Sequence, residues 1–467
     1  KRCKTLQKEM KHSTLTLLVL LSSVGFAQQA LTETAFLSMV KQNHPLIKIS
    51  DLQPKYGDAY LIKAKGGFDP KIAGTLNQKY FDGKQYYSVG DYGIKYPTWY
   101  GLTVKTGVES NRGTYLDPQA KTPSGGLFYG GIGANLGQGM LIDQRRADLW
   151  SAKINLQSSE EERRLQVNKL LYETGYAYWD WFLAFHAREI LQDAYDVALE
   201  RFIAVQQTAI LGDRAFIDTV EAGLQVQQRL SLLRDAEANY KEKCNAQSTY
   251  LWSEQQEPLV LSETTQPTSQ NDWIASAEIP FQSDSLLNQH PYLKITSFKV
   301  DMLEIDRKLK ADRLKPTVQL NYNILNEPVN YNPFSDLDIN DYKWGFSIEM
   351  PLFLRKERGE LKLASLKIEE TQLNLAQLKA QLNMKINNAR IDLSNSIAQL
   401  EIYQRSVTDS KALLDAERNM FENGESSLFL INMRELNYIQ SQLKYLEWQA
   451  KNKQIGYSLG FATATLF

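Results

Sequence analysis

From residue 142 to 211 apolar side chains recur every three to four positions, among them Leu165, Val167, Leu170, Leu171, Tyr178, Phe182, Phe185 and Ile190. Gly175 is the only glycine in that stretch and there is no proline. The period predicts one continuous helix, roughly 105 Å long at 1.5 Å per residue. Residues 354–423 repeat the pattern, again without proline. Helices this long far exceed the usual three or four turns and must pack side by side in coiled-coil fashion. Gly212-Asp213 and Asn423-Gly424 are helix-terminating signals. The chain then returns over 216–252 and 428–458, so two antiparallel helical hairpins are predicted, each about 100 Å long.

A second period appears after Pro316. Val318, Leu320, Tyr322 and Ile324 fall on one face, and Gln319, Asn321 and Asn323 on the other. Beyond a polar loop at 326–341, Trp344, Phe346, Ile348 and Met350 alternate with Lys343, Gly345, Ser347 and Glu349. Each run is about eight to ten residues, the length a tilted strand needs to cross a bilayer. The apolar sets are the expected membrane-facing residues, although a hairpin of a soluble sandwich alternates identically. In the first half, 72–80 and 128–136 fill the equivalent places less cleanly, giving strands within about 71–138. Between them, over 84–126, Leu102, Val104 and Val108 alternate with Thr103, Lys105 and Glu109. That stretch reads equally as an extra hairpin, an extracellular loop or a longer strand pair.

The chain is internally duplicated. "QNHPLIKIS" at 42–50 returns as "NQHPYLKIT" at 288–296, an offset of 246 (290 − 44) that also carries Pro70 onto Pro316. Further on the offset becomes 212 (424 − 212), pairing Arg146 with Arg358 and Gly212 with Gly424. The difference of 34 residues (246 − 212) is inserted between Pro70 and Met140. Two tandem units follow, 28–252 and 277–467, joined by a linker at 253–276. Each His-Pro reads as helix punctuation, because proline suits a helix's first turn. A metal site would need further ligands at ligand spacing, and none are near.

The N-terminus adds a location. Met10-Lys11-His12, an apolar run from Leu15 to Val24, and the small residues Gly25 and Ala27 form a signal peptide within 1–27, with Met10 the expected start. That run is too short to span a membrane, and no later apolar run is long enough. An exported chain of this kind is either soluble or an outer-membrane β-barrel. Hydrophobic content of 43% and charged content of 23% fit an ordered protein. A net charge of −1 gives no pull toward nucleic acid. Cys3 precedes the cleavage site and leaves Cys244 alone, so neither a disulfide nor a zinc cluster is expected. The four histidines and eight methionines do not cluster, giving no support for heavy-metal cargo. No cofactor or metal is implied. Phosphate-loop, nucleophile-elbow and His-Glu-x-x-His motifs are absent from the sequence, so no enzyme is indicated. A periplasmic coiled-coil spacer or adhesin stalk would carry heptads without the amphipathic strand pairs.

With both periods in place, the chain resembles the TolC family of outer-membrane efflux channels over about residues 30–460. The resemblance rests on the two His-Pro helix starts, the strand openings after Pro70 and Pro316, and "VNKLLYETGYAYWDWFLA" (167–184). The turns "LGDRAFIDTVEA" (211–222) and "ENGESSLFLINMRE" (422–435) complete it. It implies a mainly α fold with transmembrane β structure: long helical hairpins forming a periplasmic α-barrel, and an antiparallel outer-membrane β-barrel shared by a homotrimer. Four strands per chain would give twelve. Open strand edges in lipid independently demand such closure. The implied role is a passive exit duct for a tripartite efflux or secretion system, opened by a periplasmic adaptor protein and an inner-membrane transporter. Docking would fall at the tips, on Leu211, Gly212, Asp213, Arg214, Asn423, Gly424 and Glu425. Family gates use acidic residues just beyond these turns. Asp218 matches one such position, with an ordinary N-cap as the alternative. In the second tip the family's acidic positions fall on Leu430 and Met433, which leaves Asn432 or Glu425 to supply polar contacts.

Overall fold

The computed structural model describes residues 30–262, 265–276, 287–327 and 338–467. The signal peptide at 1–27, the start of the second unit at 277–286 and most of the 326–341 loop lie outside the described residues. Three helices lead the described residues: α1 (Glu33–Asn43), α2 (Pro45–Ser50) and α3 (Leu52–Lys65). Strands β1 (Lys71–Phe81), β2 (Lys84–Pro97), β3 (Leu102–Arg112) and β4 (Leu127–Asn135) follow, then α4 (Gln144–Ile210) and α5 (Phe216–Gln247). The second unit runs α6 (Pro291–Asp312), β5 (Thr317–Asn326), β6 (Tyr342–Glu349), α7 (Arg355–Glu422) and α8 (Leu428–Thr463).

The two long helices have 67 and 68 residues, or about 100 Å each. The return arms span only about half that length: α5 and α8 have 32 and 36 residues, about 50 Å, α5 ending five residues before the predicted 252 and α8 running five past the predicted 458. The upper half of each long helix is covered by a separate, stacked helix instead. α4 packs on α5 and α3, while α7 packs on α8 and α6; α4 also packs on α6 and α8, which joins the two units.

The His-Pro landmarks sit where the stacked helices meet. His44 and His290 are the N-caps of α2 and α6, each Nδ1 accepting a backbone N–H two residues on at 3.1 Å. The Nε2–H of His44 donates to the Thr249 carbonyl just past α5 (3.2 Å). Both imidazoles must be neutral to accept. Burial lowers the His290 pKa to about 4 and also lowers that of His44, the latter opposed by its bond to Thr249. A pKa depressed by folding contributes stability above the unfolded value of 6.5, and that stability is lost as the pH falls toward 4. Thermal melts at pH 7.5 and 5 are expected to show a lower midpoint at pH 5. His290→Asn, which caps without titrating, should shrink the difference; an equal difference in the variant would refute this origin.

An aromatic core lies at the same level. Phe36, Tyr178, Trp179, Trp181, Phe182 and Phe185 cluster with Tyr240 of α5 and Leu446 of α8. Glu33 at the start of α1 ties it to α8, accepting from Trp179 Nε1 (2.9 Å) and the Tyr457 hydroxyl (2.6 Å).

The sheet corrects the four-strand expectation. Among the described residues six strands, in the order β1-β2-β3-β4-β5-β6, form one antiparallel sheet. The 84–126 stretch supplies an extra hairpin, β2–β3, inserted in the wall between β1 and β4. The homotrimer that the resemblance implies would therefore close eighteen strands, not twelve.

Candidate functional site

The cross-strand register sorts the wall into two faces. Val318 pairs with Ile348, Leu320 with Phe346, Tyr322 with Trp344 and Ile324 with Tyr342. Ile72, Leu76, Tyr92, Ile94, Leu102, Val104 and Ile132 continue that face across the first four strands, and all are solvent-exposed. Met350 lies just past β6 and is exposed too. An apolar face continuous over six strands puts β2 and β3 in the wall rather than in an external loop.

The opposite face is polar and concave. Lys343 of β6 pairs with Glu109 of β3 at 3.0 Å although β4 and β5 lie between them. Three strand spacings are about 14 Å on a flat sheet, so only side chains on the inside of a curled one meet this way. Its floor is glycine-rich. A Cβ on Gly93 or Gly107 would stand 2.8 or 2.7 Å from the Tyr129 hydroxyl, because that ring lies across both to donate to Asp91 (2.8 Å). Pro316 and Gly137–Gly139 mark the boundary with the helices. There Asp312 of α6 accepts the Gly139 N–H, and Arg146 of α4 donates to the Gly139 and Met140 carbonyls.

At the far end, both turns close alike. Gly212 and Gly424 adopt φ of +86° and +78°, the left-handed region natural to glycine. Asp213 N–H donates to the Thr208 carbonyl (3.0 Å) and Glu425 N–H to Met420 (2.8 Å), the six-to-one bond of a Schellman end. Asn423 is the C-cap of α7 and Leu211 that of α4. Leu211, Phe216, Ile217 and Phe429 are largely exposed, leaving an apolar tip. Arg214 links the two turns: its guanidinium stacks over Phe421 of α7, 4.4 Å from the ring centre, and lies 3.9 Å from Asp218. Asp218 is not an N-cap. Ala215 holds that position, and Asp218 sits in the first turn of α5, where a carboxylate complements the helix dipole.

A few turns above the tips lies a buried charge cluster that the sequence reading missed. Arg201 of α4 binds Glu435 of α8 through two nitrogens (2.9 and 3.0 Å) and also donates to Asn432 Oδ1 (2.9 Å). Asn432 in turn reaches Glu221 of α5 (3.4 Å), and Arg418 of α7 lies 3.6 Å from Glu435. Arg229 of α5 is 2% exposed, with Nε and Nη1 unpartnered, and Glu435 is the carboxylate whose charge supports it. All four long helices thus converge on Glu435. A signal existed: Ile431, Glu435 and Ile439 share one four-residue stripe, as Ala222, Arg229 and Leu233 share a heptad stripe. A charge on an apolar stripe marks a buried partner. Asn432, singled out with Asp218 as a candidate gate residue, belongs to this cluster; Asp218 does not.

Long paired helices capped by a two-faced strand wall define a channel-tunnel fold. The chain superimposes on the outer membrane channel CmeC of Campylobacter jejuni with a TM-score of 0.65 at 13% identity, covering 93% of this chain and 86% of that one. For the open state of the Neisseria gonorrhoeae outer membrane channel MtrE the values are 0.68, 12%, 92% and 88%. For the Vibrio cholerae outer membrane protein VceC they are 0.63, 13%, 92% and 95%. No family model and no curated protein matches the sequence. The fold is that of the TolC-like outer-membrane channels, as the resemblance implied.

Proposed function

We propose that this chain is a trimeric channel-tunnel of the bacterial outer membrane, the passive exit duct of a tripartite efflux or secretion system. The observation that carries the reading is one sheet with an apolar convex face and a polar concave face, rooted in helices about 100 Å long. β1 and β6 are the two edges of that sheet, and every residue of each is exposed. An even strand number makes them run antiparallel, so the β6 edge of one copy fits the β1 edge of the next. Closure satisfies the edge groups that lipid would leave unpaired. The polar face then lines a water-filled lumen and the helices descend into the periplasm.

Under this reading the work is transport rather than catalysis. The exposed tip, Leu211–Arg214 and Asn423–Glu425, docks a periplasmic adaptor protein, and an inner-membrane transporter supplies the energy. The Arg201–Glu435–Asn432 cluster holds the lower hairpins together until docking. Purification from outer membranes followed by planar-bilayer recording tests the channel. A trimer with discrete conductance is expected, and a non-conducting monomer would overturn the reading. Cysteines placed at Asp213 or Glu425 should crosslink the adaptor; no capture from either tip would remove docking from it.

A further inference from the structure

The concave face carries a feature that wall stability does not account for. Lys71 pairs with Lys95, and Lys95 with Lys105; the row continues through Gly131 and Asn323 to Lys343. Four of six positions in one cross-strand row are therefore lysines, three of them side by side. Like charges directly opposite one another destabilise a sheet. The adjoining rows offer no relief. On one side stand Ala73, Gly93, Gly107, Tyr129 and Leu325, and on the other Pro97, Thr103, Gly133, Asn321 and Gly345. Within the strands neither contains a carboxylate; Asp341 and Asp69 stand at their outer ends, just before β6 and β1, and among the described residues neither pairs with a lysine of the row. Asp91 and Glu109 lie four residues along their strands, about 13 Å away. Among the described residues Lys343 alone has a carboxylate partner, Glu109, and Lys105 donates to the neutral Asn321 amide oxygen (2.6 Å).

We propose that this row is an anion path through the membrane section of the duct, taking solutes that bear carboxylate, sulfate or phosphate groups. The inference rests on the channel reading above. Strand tilt turns a row perpendicular to the strands into a ramp rather than a level ring. The ramp runs from Lys71, the first residue of β1, to Lys343, near the start of β6. Three copies give three such ramps. Lys71 and Lys95 are exposed and Lys105 is half-buried beside them, and a passing anion replaces the counter-charge these three lack.

The test is the reversal potential of the purified protein in planar bilayers under a tenfold KCl gradient. Chloride is expected to be several-fold more permeant than potassium. The preference should weaken between 0.1 M and 1 M salt, as the screening length falls from about 10 Å to 3 Å. Combined Lys71→Gln, Lys95→Gln and Lys105→Gln should abolish it, whereas the same three positions as arginine should keep it. Inorganic phosphate should reduce chloride current in the native protein and not in the glutamine variant. A potassium-selective native channel, or a glutamine variant with an unchanged reversal potential, overturns the anion path and leaves the channel reading intact. Absence of any conductance overturns both. Should the glutamine variant fail to assemble, the salt dependence of the native channel decides: a cation preference, or an anion preference indifferent to salt, refutes the proposal.

Discussion

Glu435→Ala is expected to destabilise the lower helical hairpins by about 3–5 kcal/mol, the cost of removing one partner from a buried ion pair. Its side chain is 6% exposed and accepts two charge-assisted bonds from Arg201. Without it, Arg201 and the buried Arg229 face each other with no carboxylate between them, and Arg418 loses its contact as well. Hydrogen exchange should localise the effect, with amides of α8 near 431–439 losing protection while those of the sheet keep theirs. In bilayers the same variant should conduct more often without an adaptor. Replacing both partners by apolar residues, Arg201→Met with Glu435→Leu, should recover much of the loss, since well-packed apolar substitutes for a buried pair are often neutral. Unchanged exchange at 431–439 in the alanine variant would show that the cluster holds nothing shut.

Excision of residues 84–113 is expected to leave a folded but narrower channel. β1 and β3 both run antiparallel to β2, so β1 can take the place of β3 against β4. Parity also survives, because Ile72 shares a row and a face with Ile94 and Thr106. The remaining loop, 114–126, joins the same ends. Barrel diameter grows about linearly with strand number, so going from eighteen to twelve strands cuts the lumen cross-section to roughly 0.4 of its former value. Single-channel conductance should fall in similar proportion. Six strands at about 4.8 Å, tilted about 40°, occupy roughly 38 Å of circumference, close to four helices at about 10 Å each. In the proposed trimer the native barrel and tunnel would therefore match in girth, and the excised barrel would pinch the exit. Equal conductance would place the hairpin outside the conducting wall.

The helical part of this design was legible because each long helix keeps its apolar period without a break and ends on a glycine that must take positive φ. β5 and β6 were legible because Trp344, Phe346 and Ile348 leave no doubt about which face is apolar. The first-half wall was harder to read. Gly93, Gly107, Gly131 and Gly133 remove the polar side chains that would have completed the alternation, and the ring filling two of those gaps comes from another strand. The end of α5 was placed five residues late, at 252, because no glycine or proline comes within ten residues after Gln247 to announce it. The Glu435 cluster was missed because charges on helices are ordinarily solvated. Its partners come from four helices far apart in sequence, and the pairing exists only once they pack.

The stacked arms have a mechanical consequence. α4 and α7 run unbroken from wall to tip, while their companions are each cut in two at the level of His44 and His290. A beam that is continuous on one side and jointed on the other flexes at the joint. A push at the tips is therefore spent bending the lower half, with the aromatic core around Trp179 and Trp181 acting as a fixed clamp above it. The strand wall can stay still while the tips move.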